Sequence, residues 1–276
     1  MEASRAAGPR KPSMLNRRCW PLHADARPPR YNRAMRFPPL HEGTLLRRYK
    51  RFLADVRLAD GREVVAHCPN SGRMTSCLVE GGRVLLSHHD NPRRKLEWSW
   101  EVAFAGDDGG QAILVNTARP NHVVKEAILR GHIPALAGYP NLRSEVRYGD
   151  NSRVDLLLEG DPDRPPCWVE VKNVTLSVGA RIGAFPDAVS ARATRHAHDL
   201  ADRVRAGDRA ALFFLVSRGD IDVVRPADEV DPVYGAALRA AAQVGVEVMA
   251  WRAAVSKTEI RVTDAVEVDL RETLGR

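Results

Sequence analysis

Two carboxylates and an ammonium stand at a spacing that suits metal-assisted chemistry. Residues 167–176 read CWVEVKNVTL, an apolar run fit for a buried strand but broken by Glu170 and Lys172. Strand side chains alternate between faces, so Val169 and Val171 point one way and Trp168, Glu170, Lys172 and Val174 the other. Buried charge is costly without a partner or a metal. A lone acid and base two residues apart read as a neighbouring ion pair unless further acids converge on the same face. The preceding run, RVDLLLE at 153–159, supplies one, because its polar face carries Asp155. The GDPDRPP segment between the runs is short and turn-forming, which makes them antiparallel neighbours. Asp155 and Glu170 then project toward one point. Mg²⁺ takes one or two carboxylates and keeps waters and phosphate oxygens for the rest of its shell. The Val171 carbonyl, between Glu170 and Lys172, is a further donor. A metal lowers the pKa of bound water and polarises a phosphate. Lys172 can hold the attacking water and offset charge on a phosphorane-like transition state.

The elements that must position these groups are legible along the chain. RPNHVVKEAILRG reads as a helix with Asn121 as N-cap, Val124 and Ile128 on one face and Gly131 at its end. Strand-like runs follow at 142–148, 153–159 and 167–176. In the first of them Arg143, Glu145 and Arg147 share a face. DAVSARATRHAHDLADRVRAG predicts a second helix with Val189, Ala193, His196, Leu200 and Val204 at helical spacing. RAALFFLVS is an apolar central strand. A third helix has Asp231 as N-cap, Pro232 at N1 and Gly245 past its end. VEVMAWRA is the last clear strand. This order predicts an α/β (α+β) domain with a mixed sheet over 117–276. Residues 36–116 look all-β. Five short strands with Gly turns, one hairpin turning at Asp60-Gly61, predict a small OB-fold-like barrel.

The net charge of +7 invites a nucleic-acid reading, but residues 1–36 hold nine of the 42 Lys/Arg and two of the 35 Asp/Glu. The body therefore keeps 33 of each sign, and a nucleic-acid case must rest on local patches. Residues 1–35 read as a disordered, Pro- and Arg-rich tail without a secretory h-region; a misassigned start, with Met35 as the true one, is the alternative. Four cysteines without a C-x-x-C pair look like reduced thiols of a cytoplasmic protein. No apolar run suggests a membrane span.

Local patches do exist. RRYKRF interleaves Arg47, Arg48, Lys50 and Arg51 with aromatics, as a strand that contacts phosphates while a ring stacks on a base. The bland reading is an edge strand protected by charge. Arg93, Arg94 and Lys95 form a second basic loop, and Arg195, on the second helix, is placed to clamp a phosphate. His196 lies on that helix's apolar stripe and reads as a satisfied core histidine. HCPNSGRM at 67–74 offers backbone N–H groups to an anion, or simply shapes a tight loop. His67, Cys68 and Cys77 lack the usual metal spacing.

Asp155, Glu170 and Lys172 on a hairpin, after a helix and before a helix and central strand, resemble the PD-(D/E)xK nuclease superfamily. Val154 stands where that motif has its proline. The segments RYKRFLADV, HCPNSGRM, VNT, KEAIL, SEVRYG, RVDLLL, VEVKNVTL and FPDAVSARATRHAHDL occur in order between residues 48 and 200. Together they resemble the sugar fermentation stimulation protein (SfsA) family over about residues 36–252. The resemblance implies an OB-like domain, a nuclease-like domain and DNA binding. By position it carries over Asp155, Glu170 and Lys172, with Glu145 as the upstream acid. The bland reading of Glu145 is a solvated face of alternating charge. The expectation is therefore a DNA-binding protein with Mg²⁺-dependent (or Mn²⁺-dependent) phosphodiester cleavage, RNA not being excluded. Asp155, Glu170, Glu145 and Val171 would serve the metal. The alternative is a non-catalytic DNA-binding regulator of sugar (maltose-type) metabolism that keeps the nuclease fold.

Overall fold

The computed structural model describes residues 34–106, 110–148 and 152–272. The basic stretch 1–33, which holds nearly all of the tail expected from the sequence, lies outside the described residues. A short β1 (Met35–Arg36) is followed by β2 (Leu40–Tyr49), β3 (Leu53–Leu58), β4 (Glu63–His67), β5 (Arg83–His88), β6 (Trp98–Ala105) and β7 (Gln111–Leu114). β2 pairs with β3 and β5, β3 with β4, and β5 with β6. A parallel β4–β6 pair closes the ring. β2 to β6 thus make the five-stranded OB-like barrel expected from the sequence, and β7 is a sixth strand beside β6. Alternation builds it: Ala54, Val56 and Leu58 of β3 point inward between exposed or half-buried neighbours. β6 is buried throughout because its two faces meet different cores. Trp98 and Trp100 fill the barrel, while Val102 and Phe104 pack outward against the second half of the chain.

That half contains α1 (Pro120–Leu129), β8 (Asn141–Tyr148), β9 (Ser152–Glu159), β10 (Cys167–Val174), β11 (Leu176–Ser177), β12 (Ile182–Phe185), α2 (Ala191–Arg205), β13 (Arg209–Val216), β14 (Val223–Pro226), α3 (Pro232–Gln243), β15 (Glu247–Val255) and β16 (Glu259–Val268). The mixed sheet runs β11-β12-β14-β16-β15-β13-β10-β9-β8, with β1 on β16. β10, β13 and β15 are parallel neighbours; β8, β9 and β10 are antiparallel. One face of β10, with Val169 and Val171, packs under α1, and this core is continuous with Phe37, Leu85, Val102 and Phe104 of the barrel side. The other face, with Trp168 and Val174, packs under α2 and α3.

Several expectations are corrected. RRYKRF is not one strand: β2 ends at Tyr49 and the chain turns through Lys50 and Arg51, both at positive φ (49° and 62°). No Gly or Asn announces that turn. α1 opens two residues earlier than expected, at Pro120, and Asn121 is inside its first turn rather than at the cap. α2 begins at Ala191 behind Ser190, whose side chain accepts from Ala193 N, so Val189 lies outside the helix and is exposed. β16 follows VEVMAWRA; only Ile260, Val262 and Val266 of its ten residues are buried, which hides its alternation. The third helix is capped as expected, by Asp231 accepting from Tyr234 N with Pro232 behind it. Among the described residues no helix is long and apolar enough to cross a membrane.

Candidate active site

β9 and β10 pair from Cys167–Leu158 to Val169–Leu156. One further step of that register sets Glu170 opposite Asp155. There the ladder opens, and the Asp155 carboxylate takes the place of a backbone acceptor: its Oδ2 accepts from Val171 N at 2.7 Å. Its Oδ1 accepts from Asn121 Nδ2 of α1 at 2.7 Å. The residue misread as a cap therefore anchors the acid. β8 and β9 pair on both sides of this point, Ser144 with Leu156 and Val146 with Val154, which sets Glu145 across from Asp155. Glu145 is exposed and held at φ 55°, a left-handed conformation that is uncommon for a residue with a side chain.

Glu170 is buried at 2% exposure. Its Oε1 accepts from Lys172 Nζ at 2.7 Å and is also met by His196 Nδ1 of α2. Arg192 Nε points to His196 Nε2 at 3.4 Å. With Nε2 turned to that donor, the ring carries its proton on Nδ1 and gives it to Glu170. Lys172 Nζ and His196 Nδ1, 3.2 Å apart, are then two donors sharing one acceptor. Glu170 Oε2 is buried and has no hydrogen-bond partner among the described residues.

Burial and the facing Glu170 carboxylate push Asp155 up to about 7, against the opposing pull of the Val171 amide, Lys172 and Asn121. Burial also raises Glu170, but Lys172 and His196 outweigh it and hold that carboxyl below its ordinary range. The acids are thus driven apart in acidity, one kept ionised by fixed donors and one held poised.

These groups line a cleft of about 520 Å³ whose walls include Asn121, His122 and Lys125 of α1, Glu145 of β8 and Arg192 of α2. Asp155, Glu170, Val171, Lys172 and Glu145 therefore all lie along it. Two residues of the site were missed from sequence. His196 was assigned to the core because its stripe is apolar, and Asn121 to a cap because it precedes a helix. Only register across three elements brings them to the acids.

The expected basic contacts fare differently. Arg48 is engaged within the barrel, donating to the carbonyls of Asn70 (2.7 Å), Gly72 (3.0 Å) and Arg51 (3.0 Å). Arg47 pairs with Asp55 at 2.7 Å, and Arg94 donates to Ser99 Oγ at 2.8 Å. Arg195 is exposed on α2 and is not among the cleft residues; Arg192, nearly one turn earlier, is. Lys50, Arg51, Arg93 and Lys95 are exposed. The 67–74 loop meets a carboxylate of the chain itself: Met74 N donates to Asp187 Oδ2 at 3.0 Å. Glu126, on α1, pairs with Arg130 and is not among the cleft residues. Cys68 and Cys77 are buried in the barrel core.

The donor set fits a hard divalent ion. Two carboxylates face each other, one has a buried oxygen without a partner, and one is raised by burial and then by its neighbour's charge, which a cation would relieve. Among the described residues no group of three His, Cys, Asp or Glu side chains gathers as a metal cluster, so water and substrate oxygens would have to complete the shell.

Comparison with known proteins agrees with this architecture. Residues 46–115 match the model of the SfsA N-terminal OB domain, and residues 118–259 match that of the sugar fermentation stimulation protein RE domain. A sugar fermentation stimulation protein homolog of Geobacter sulfurreducens is 55% identical over 230 residues, covering 83% of this chain and 96% of its own. One from Thioalkalivibrio sulfidiphilus is 53% identical over 234 residues, covering 84% and 97%. The structure of Pyrococcus furiosus SfsA in complex with Ca²⁺ superimposes with a TM-score of 0.77 at 24% identity, over 86% of this chain and 98% of that one. The chain belongs to the sugar fermentation stimulation protein (SfsA) family.

Proposed function

We propose that this protein is a nucleic-acid-binding phosphodiesterase dependent on a divalent metal, Mg²⁺ or Mn²⁺, working on DNA or RNA in the cytoplasm. The observation that carries this reading is the convergence of Asp155, Glu170 and Lys172 in one cleft, with Glu170 Oε2 buried and unpartnered. Asp155 and Glu170 would hold the metal, with the Val171 carbonyl beside them and Glu145 on the rim. The related protein of Pyrococcus furiosus was solved with Ca²⁺, which supports divalent-ion binding here. A bound metal supplies Lewis acidity and an acidified water. The chain does the rest. Asn121 and the Val171 amide fix the Asp155 carboxylate, and His196 fixes Glu170. Lys172 holds a proton donor beside the point where the attacking oxygen and developing negative charge would lie. Lys125 and Arg192 offer positive charge from opposite walls to a polyanion.

A second reading, a non-catalytic DNA-binding regulator of sugar metabolism, is favoured by one observation: Glu170 Oε1 is already saturated by Lys172 and His196. The two separate in one experiment. Purified protein is incubated with single- and double-stranded DNA and RNA in Mg²⁺, Mn²⁺ or chelator, beside Lys172→Ala and Glu170→Ala. Cleavage that needs metal and falls at least about 100-fold in both variants is expected, as for loss of a charge-stabilising donor. Equal cutting by all three proteins, or none by any, would remove the catalytic reading.

A further inference from the structure

The cleft does not end at its acids. The Pro69 carbonyl accepts from Thr117 N at 3.1 Å and from Thr117 Oγ1 at 2.6 Å, and Thr117 lines the cleft. A few residues on, Gly72 lies so close to Asp187 that an added Cβ would sit 2.2 Å from its Oδ2. Asp187 follows two residues after Phe185, another cleft residue. The barrel loop 69–74 is therefore an extension of the cleft wall. Arg48 binds that loop to the β2–β3 turn by donating to carbonyls of Asn70, Gly72 and Arg51, and Cys68 N donates to the Phe52 carbonyl at 2.8 Å.

The side chains presented along this edge share a chemistry. Lys50, Arg51 and Arg73 are exposed, and among the described residues none has an acid partner. Phe52 is 46% exposed beside them, an unusual placement for a large apolar ring. Cations that track a backbone, with an aromatic on which a base can stack, are the components of a single-strand site. A duplex offers no free base face to Phe52. The cleft itself, at about 520 Å³, has the capacity of a site for one small molecule, enough for roughly a nucleotide.

Building on the phosphodiesterase reading, we propose that the substrate is a single-stranded nucleic acid. Its strand runs from the acid pair along loop 69–74 to the β2–β3 turn, where Lys50, Arg51 and Arg73 hold phosphates and Phe52 stacks on a base. The positive φ at Lys50 and Arg51 makes a test that does not endanger folding, because Asn and Gly favour that geometry. Binding of the full chain to a labelled oligonucleotide of about 12 nucleotides, a length within the site size of an OB fold, is measured by anisotropy in chelator. DNA and RNA single strands and the DNA duplex form separate arms.

Lys50→Asn/Arg51→Gly/Arg73→Gln is expected to weaken single-strand binding at least about tenfold and to lower the slope of log affinity against log salt by about 2. Phe52→Ala is expected to weaken it about tenfold, and Arg261→Gln, removing exposed charge on β16, to leave it unchanged. Whichever single strand binds more tightly identifies the natural polymer. Duplex bound as tightly as single strand, or an unaltered salt slope in the triple variant, overturns the proposal. Because binding is read without metal, loss of single-strand affinity in a protein that never cleaves would sink the phosphodiesterase and leave the track. Cleavage by a triple variant of undiminished affinity would sink the track alone.

Discussion

Asp155 and Glu170 face each other, yet their surroundings push their acidities in opposite directions, and the consequence is readable in stability. Asp155 is raised from 3.8 to about 7 in the folded state. The folded protein therefore binds that proton more tightly than the unfolded chain. The stabilisation is full below about pH 4 and is lost as pH rises through 7. Glu170 is lowered, so its contribution is present above its unfolded value and is lost only as pH falls below it. Metal-free protein should thus lose stability between pH 4 and 7 through Asp155, and a divalent ion, which binds the ionised form, should restore it. Asp155→Asn should flatten that segment of the profile while abolishing metal binding, because Asn121 can reverse its amide and keep its bond. Urea unfolding across pH, with and without Mn²⁺, checks both halves. His196 acts on the same acid from α2. His196→Ala should weaken Mn²⁺ binding about 10- to 100-fold, the usual effect of removing a group that orients a ligand. Titration calorimetry measures it, and an unchanged affinity would return His196 to the core role its stripe suggested.

At the scale of elements, the site hangs on how α1 and α2 begin. Ser190 caps α2, and its own backbone N–H donates to Asp231 Oδ2 at 2.8 Å. Asp231 meanwhile caps α3 through Tyr234 N at 3.0 Å. One buried carboxylate thus joins the starts of two helices. Ser190→Ala should cost about 1 kcal/mol, an ordinary cap. Asp231→Ala should cost distinctly more, about 2–3 kcal/mol, since two buried donors lose their acceptor. Denaturant midpoints of the two variants decide it, and equal losses would show that Asp231 serves α3 alone. Ser190 itself lines the cleft, two residues before Arg192, and Asp231 reaches it through the Ser190 N–H.

Across the whole molecule, the barrel and the mixed sheet are not beads on a string. Val102 and Phe104 of β6 share a core with Val123, Val124 and Ile128 of α1 and with Val169 of β10. A polar staple reinforces this seam. Glu101, 0% exposed, accepts from Ser87, from Asn116 and twice from Arg119. Arg218, 2% exposed, reaches from the end of β13 to Asp220, the Thr175 carbonyl and Ser76 of the barrel. Calorimetric unfolding should therefore show one transition. Glu101→Ala, which leaves Arg119 without its buried partner, should destabilise by about 3–5 kcal/mol. Two resolved transitions in the unaltered protein would contradict the shared core.

Local pattern alone determined much of this. Strand alternation assigned Val169 and Val171 to one face of β10 and Trp168 and Glu170 to the other, and Gly, Pro and Asp punctuation located α3 and the Asp60-Gly61 hairpin. Asp155, Glu170 and Lys172 stood out because charges interrupt apolar runs there, a signal that resides in adjacent residues. What tertiary structure decided has no such neighbourhood. Asn121 meets Asp155 across 34 positions and His196 meets Glu170 across 26, so their roles depend on how helices are laid over the sheet. Arg48 and Arg51 look alike in sequence, yet one is turned onto backbone carbonyls and the other into solvent. Periodicity fixes which face a side chain takes; only packing fixes what that face meets.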